Sequence, residues 1–297
     1  MYQVTPSELA TILHHKEVLS LIELAFEEDG VGHDVTGLCA DTRQRTASGQ
    51  ILVKSRTVLA GEVLARIIVE QFNRIYGNNS TQPVTLSFQT KEGAWVEPGT
   101  VWVHLKGMAR DLLRLERTLL NFLMRSCGIA TQTRQLLEAM APYPCKLLHT
   151  RKTAPGHRRS DIAACLIGGA HPHRRSLDDA ILVKENHFRT APHYQELFSG
   201  IQKYRDEVRF VEIEVTNMTE LKHSLAAKPN RIMLDNFTPA DIRKAVELFG
   251  SAVELEASGG IHLDNIAEFA ATEVDYISTG SMTHSTKAAD LSLLFEI

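Results

Sequence analysis

The sequence predicts an α/β protein whose second half is built on a parallel sheet, closed or partly closed into a barrel. Three observations predict it. From about position 145, short apolar runs alternate with helical patterns, the signature of successive βα units. Glu214, Asp235 and Glu256 stand at or near the ends of three successive runs, twenty-one residues apart each time, one unit per step. Gly- and Ser-rich turns follow the last runs, at the edge where parallel α/β folds bind ligands.

The first half reads as mixed α and β. "GQILVKSRTVLAG" alternates enough for a strand, and "EVLARIIVEQF" has helical spacing. "PVTLSFQ" and "TVWVHLKG" read as strands flanking the turn at Glu97-Pro98-Gly99. "MARDLLRLERTLLNFLMRS" predicts a long amphipathic helix with Arg110, Arg114, Arg117, Asn121 and Arg125 on one face. Arg114 and Arg125 are expected to form a solvated face, and periodicity does not single out Arg117.

In the second half the predicted strands are "KLLH", "AILVK", "RFVEIEV", "RIMLD", "VELEA" and "VDYIST". Thr238-Pro239-Ala240-Asp241 predicts a capped helix start, with Pro at its first position.

A net charge of −4, with 43% apolar and 23% charged residues, fits a globular enzyme and argues against a general nucleic-acid binder. No apolar run reaches the roughly 20 residues that span a bilayer, and "MYQVTPSELA" lacks the features of a secretory signal. Cys39, Cys127, Cys145 and Cys165 make no CxxC pair and read as reduced thiols of a cytoplasmic protein.

Against this mildly acidic background, positions 149–175 carry six Arg or Lys and four His residues with one acid, Asp161. Arg158, Arg159 and Arg175 read as surface charges. Arg151 and Lys152 directly follow "KLLH", and Lys184 follows "AILV", at the edge that carries the acids. Arg suits bidentate carboxylate or phosphate contacts and Lys supplies a point charge, so this cluster points to a strongly anionic small ligand. Glu214 and Asp235 read either as buried acids paired with basic residues or as a site for Mg²⁺ or ribose hydroxyls. Two adjacent strand ends beside glycine turns favour the second reading. Glu256 stands evenly between the two. Ser258-Gly259-Gly260 and Thr279-Gly280-Ser281 read as turns needing positive φ or as phosphate cradles, and their succession favours cradles. His173 and His187 read first as structural histidines bonded to backbone. No His/Cys spacing makes a zinc site.

With these residues in view, the chain resembles the quinolinate phosphoribosyltransferases, the carboxylating nicotinate-nucleotide pyrophosphorylases. "EEDGVGHDVT", "ARDLLRLERTLLNFLMRSCGIAT", "TRKTAPGHR", "HRRSLDDAILVKENH", "VEIEV", "IMLDNF", "EASGGI" and "STGSMTHS" follow in family order with family-like spacing.

The resemblance implies an open α/β sandwich over 1–126, rejoined by 288–297, and an incomplete parallel α/β barrel of six or seven strands over 127–287. It implies transfer of the phosphoribosyl group of phosphoribosyl pyrophosphate to quinolinate with decarboxylation, Mg²⁺ as cofactor, and a homodimer in which Arg117 reaches the partner's site. It places Thr150, Arg151, Lys152, His173, Arg174 and Lys184 around quinolinate and pyrophosphate. Glu214 and Asp235 then hold the ribose hydroxyls and metal, and Ser258, Gly259, Gly260, Gly280 and Ser281 the 5′-phosphate. Lys152, Lys184, Glu214 and Asp235 are the implied catalytic groups. Many relatives carry Asp where His149 stands, and Gly-Gly-Gly-x-Asn-His-Arg where Gly168 to Arg174 stand. Pro172-His173-Arg174 also resembles a paralogous phosphoribosyltransferase group associated with molybdate transport, which uses another acceptor. The intact "LVKENH" favours quinolinate. A non-catalytic phosphate-metabolite binder is the third reading, opposed by the presence of both Glu214 and Asp235.

Overall fold

The structure, a computed structural model, describes residues 1–40, 45–77, 82–191 and 193–296. Its strands are β1 (Thr46–Val53), β2 (Thr57–Val58), β3 (Thr85–Phe88), β4 (Trp95–Val96), β5 (Val101–Met108), β6 (Lys146–Leu148), β7 (Ile181–Val183), β8 (Val211–Val215), β9 (Arg231–Asp235), β10 (Glu254–Ser258), β11 (Tyr276–Ser278) and β12 (Leu291–Glu296). The chain divides into two compact units. One comprises 2–134, 153–169 and the segment from 282 onward; the other comprises 135–152 and 170–281 with residue 1.

In the first unit an antiparallel sheet runs β12-β1-β5-β3. The returning β12 pairs with β1 from Leu291 to Glu296. Alternate residues of β1 and β5, among them Ile51, Val53, Val103 and Leu105, are fully or almost fully buried. The amphipathic helix Glu62–Tyr76 adds Ile68 and Phe72, and the Phe72 ring meets Phe26 edge-on at 5.9 Å.

The helix Ala109–Met140 runs well past the expected stretch. Gly128 does not stop it. A Cβ there would lie 2.2 Å from the Lys287 carbonyl oxygen, so glycine serves the close passage of 287–288. The expected solvated arginine face is also corrected. Arg114 donates to the Val31 carbonyl at 2.7 Å and lies 5.0 Å from the Tyr76 ring centre. Arg125 forks onto the buried Asp161 at 2.8 and 2.7 Å. Asp111, buried one helical turn before Arg114, and Asp161, 36 residues beyond Arg125, are the acids responsible, since a buried carboxylate holds its cation inward.

In the second unit the parallel sheet runs β6-β11-β10-β9-β8-β7. All six strands are those expected from the apolar runs. The sheet is open between β6 and β7, which makes the barrel incomplete. Beside β6 the chain makes a single parallel bridge, Leu148 with His171, and Pro172 follows, which has no N–H to continue a ladder. Thr238 caps the helix Pro239–Phe249 by accepting from the Asp241 N–H at 3.2 Å, with Pro first in the helix, as expected.

Register gives the sheet two chemically opposite faces, because paired residues of parallel neighbours share a face. One carries Ile213, Ile232, Leu234, Leu255, Ala257 and Ile277, all fully buried. The other carries Glu212 and Glu214 on β8, Arg231, Met233 and Asp235 on β9, Glu254, Glu256 and Ser258 on β10, and Tyr276 and Ser278 on β11. No helix of the described residues is long and apolar enough to cross a membrane.

Candidate active site

The polar face ends, at its C-terminal edge, in the residues that the sequence singled out. Thr150, Arg151 and Lys152 follow β6; Lys184 follows β7; Glu214 is the fourth residue of β8; Asp235 closes β9; Ser258 closes β10; Gly280 and Ser281 follow β11. All lie in the second unit. Arg117 is exposed on the helix Ala109–Met140, in the first unit.

Arg151, Arg174 and Lys184 line one cavity of about 650 Å³, together with His187, Leu182 and Ile201. Burial lowers the Arg174 pKa, and the neighbouring Arg151 guanidinium lowers it further. The Arg151 Nε is buried and has no hydrogen-bond partner. Two guanidiniums that repel each other at a cavity wall provide for anionic groups brought by a ligand.

Lys184 Nζ pairs with Glu214, which lines a second cavity of about 460 Å³. Asp235 is half-buried. Desolvation raises its pKa, the Glu214 charge raises it further, and Lys184 and Lys152 counter both. Both groups offer only carboxylate oxygens, the donor type that a hard dication takes, and such an ion would take over the compensation that Lys184 and Lys152 supply here.

Beneath this edge lies a buried ion network that the sequence did not disclose. His173 Nε2 is 2.9 Å from Glu212 Oε2 and 3.4 Å from Glu256 Oε2. Arg231 donates to Glu256 Oε2 at 2.9 Å. Burial alone would lower the His173 pKa; the hydrogen bonds and charges of Glu212 and Glu256 overcome it and raise the pKa to about 9. Burial, reinforced by the Glu256 charge, pushes Glu212 up. At Glu256 burial is outweighed by His173 and Arg231, and the carboxyl is held down to about 2. His173, Glu212 and Glu256 approach one another closely enough to hold a metal ion. His173 and Arg231 already supply the compensating charge, so this set does not fit a cation. Glu256, evenly poised on sequence, is a structural acid here.

The rest of His173 is equally constrained. Its backbone N–H donates to His149 Nε2 at 3.1 Å, and its carbonyl accepts from Arg209 at 2.9 Å. Burial and the His173 charge push the His149 pKa down to about 3, leaving a neutral acceptor. His173 is therefore held by side chains, not by the expected backbone bond. His187 does follow that expectation: its Nδ1 accepts from the Lys184 N–H at 2.8 Å.

The glycine turns are tied to each other. Gly259 and Gly260 adopt φ of 93° and 64°. Ser278 Oγ donates to Ser258 Oγ at 3.0 Å, and Thr279 Oγ1 donates to the Ile261 carbonyl at 2.6 Å. Thr279 also accepts from the Ser281 N–H at 3.1 Å. Alternation along "VEIEV" was the available signal for Glu212, since it places Glu212 on the face of Glu214. Nothing in the sequence paired it with His173.

Comparison with known proteins identifies the family. Residues 34–127 match the family model of the quinolinate phosphoribosyl transferase N-terminal domain, and 129–294 that of the C-terminal domain. The chain is 33% identical over 281 residues to a probable nicotinate-nucleotide pyrophosphorylase [carboxylating] of Bacillus subtilis, covering 95% of this chain and 94% of that one. It is 33% identical to the chloroplastic nicotinate-nucleotide pyrophosphorylase [carboxylating] of Oryza sativa, covering 93% and 77%. The nicotinate-nucleotide pyrophosphorylase structure from Francisella tularensis superposes with a TM-score of 0.86 at 33% identity, covering 96% and 99%. That of NadC from Streptococcus pyogenes gives 0.84 at 29% identity, covering both chains fully. By sequence, fold and domain models alike, this chain belongs to the quinolinate phosphoribosyl transferase family.

Proposed function

We infer that this chain transfers the phosphoribosyl group of phosphoribosyl pyrophosphate to quinolinate with decarboxylation, yielding nicotinate mononucleotide, pyrophosphate and CO₂. It is a pentosyltransferase of NAD biosynthesis. The observation that carries the reading is the Arg151–Arg174 pair at the larger cavity, with a buried, unpartnered Arg151 Nε. A pyridine bearing two adjacent carboxylates meets that demand.

The chemistry follows from the placed charges. The C1–O bond of the ribosyl group breaks and its electron pair leaves on pyrophosphate. The pyridine nitrogen lone pair forms the new bond to C1. The ring, now cationic, accepts the electron pair of the bond to the adjacent carboxylate as CO₂ departs, and a proton replaces it. Lys152 and Lys184 neutralise the leaving group, and Glu214 and Asp235 stabilise the cationic ribosyl centre. Thr150, Arg151 and Arg174 orient quinolinate, and His173, engaged beneath them by Glu212, supports Arg174 from below, so the protein contributes positioning and charge more than proton transfer. Glu214 and Asp235 would hold Mg²⁺, which supplies Lewis-acid neutralisation of phosphate oxygens when bound. Ser258, Gly259, Gly260, Gly280 and Ser281 hold the 5′-phosphate, a role supported by their left-handed glycines and mutual hydrogen bonds.

We further propose a homodimer in which Arg117 enters the partner's site, with domains over 1–126 plus 288–297 and over 127–287. The pairing of β12 with β1 and the family models meeting at 127–129 support that division. Four free cysteines support a cytoplasmic setting. The test is pyrophosphate release with quinolinate, with nicotinate and with no acceptor. Release with quinolinate alone is expected; release with nicotinate but not quinolinate points to a paralogous acceptor.

A further inference from the structure

Asn236 is the residue that the function above leaves without a role. It directly follows Asp235 and adopts φ of 58°. Only two other described residues besides glycine share such a backbone, Lys228 and Glu273. Both close short helical turns, through N–H bonds to the Leu225 and Ala270 carbonyls. Asn236 instead stands at a strand end, at the edge where the candidate site lies. Left-handed backbone is uphill for any residue with a Cβ, and Asn tolerates it best.

That backbone turn brings Asn236 against two functional elements at once. Its N–H donates to the Ser258 carbonyl at 2.9 Å, so it reaches the first residue of the glycine turn. Its side-chain Nδ2 donates to Asp235 Oδ2 at 2.8 Å. Its Oδ1 packs against Gly259 so closely that a Cβ on Gly259 would lie 2.3 Å away. Gly259 is therefore constrained twice, by its own φ and by Asn236. Gly260 has nothing within 4 Å of an added Cβ and is constrained by φ alone. Across the turn, Asn265 donates to the Gly260 carbonyl at 3.0 Å and accepts from the His262 N–H at 2.8 Å. The turn is thus fixed on both sides, and the Asn236 side ties it to the Asp235 carboxylate.

We propose that Asn236 is a positioning residue that sets the distance between the Asp235 carboxylate and the 258–260 turn, for a ligand that uses both. It rests on the reading of a phosphorylated ribose as substrate: hydroxyls at Asp235, 5′-phosphate at the turn. Nδ2 holds Asp235 Oδ2 in one orientation, while the N–H and Oδ1 hold the turn. Without the side chain both elements remain, but their spacing and the carboxylate rotamer are no longer specified.

Asn236→Gly isolates this role, because glycine adopts the same φ without strain and keeps the N–H. Asn236→Ala provides a second variant lacking the side chain. The measurements are melting temperature, kcat/KM for phosphoribosyl pyrophosphate, and calorimetric binding of ribose 5-phosphate, inorganic phosphate and quinolinate. The expected result for Asn236→Gly is a melting temperature near wild type and a kcat/KM for phosphoribosyl pyrophosphate lowered about tenfold. Ribose 5-phosphate should lose a similar factor while inorganic phosphate and quinolinate binding stay unchanged. A merely structural residue would lower the melting temperature and the active fraction without separating these ligands.

Wild-type kinetics in Asn236→Gly, with loss only in Asn236→Ala, would show that φ alone matters and overturn the proposal. Equal loss for every ligand would overturn it as well. A wild-type protein that binds ribose 5-phosphate but does not turn over quinolinate would refute the acceptor and leave the Asn236 comparison intact. If the wild type binds no phosphorylated ribose, both ideas fail.

Discussion

His173 Nε2 and Glu212 Oε2 lie 2.9 Å apart, both residues buried, directly beneath the edge that carries Arg174 and Glu214. The groups facing this imidazole are Glu212 and Glu256 from the sheet and His149 from the turn after β6; Arg174 adjoins it in sequence, and Arg209 holds its carbonyl. In an unfolded chain His173 would release its proton near pH 6.5; in the fold it does so near 9. The raised value means that the folded state binds the proton more tightly. Its contribution to stability is therefore complete below pH 6.5 and is lost as pH rises through 9. The expected fall is about 3 kcal/mol, which is several degrees of melting temperature for a domain of this size. His173→Asn should start lower at pH 6.5 and show a flatter profile to pH 9. Parallel profiles for the two proteins would contradict the assignment.

Arg125→Ala leaves the buried Asp161 carboxylate without its fork partner and should cost about 3–5 kcal/mol, read as a lower urea midpoint at unchanged slope. Asp161 also accepts from the Ala154 N–H at 3.3 Å, so Asp161→Ala removes that bond too and should be no milder. A midpoint within error of wild type for Arg125→Ala would return this residue to the solvated face that its sequence spacing first implied.

Both outcomes bear on what the sequence disclosed. All six parallel strands, the capped start at Thr238, and the edge positions of Arg151, Lys184, Glu214 and Asp235 were legible, because period and strand-end placement are local properties. The Arg125–Asp161 and His173–Glu212 pairs were not, since each joins segments 36 and 39 residues apart whose contact depends on the packed fold. The helix also extends beyond the stretch that its amphipathic pattern marks, and the reason for Gly128 within it is not local: the segment 287–288 passes where a side chain would lie.

Arg151→Ala and Arg174→Ala should impair quinolinate use far more than folding. A lost charge-assisted contact costs about 1.5–3 kcal/mol, or more if a carboxylate is left buried and unpaired. Calorimetric titration of quinolinate with melting curves for each variant is the check. Unchanged quinolinate affinity in both variants would remove the arginine pair from the site.

Arg117→Ala and Lys184→Ala homodimers should each be nearly inactive if Arg117 acts in the partner's site. Co-folded in equal amounts, half the molecules become heterodimers, in which one site collects both defects and the other neither. A two-fold dimer then recovers roughly a quarter of wild-type activity. Heterodimers that form but remain as inactive as their parents would place Arg117 within its own subunit or outside the reaction.

The most direct test of the account is stoichiometry. With quinolinate, phosphoribosyl pyrophosphate and Mg²⁺, nicotinate mononucleotide, CO₂ and pyrophosphate should be followed together against quinolinate consumed. The account predicts one of each per quinolinate, with none formed when either substrate is omitted. Pyrophosphate released without matching CO₂ and nicotinate mononucleotide would contradict it, because the arginine pair would then be serving a different acceptor.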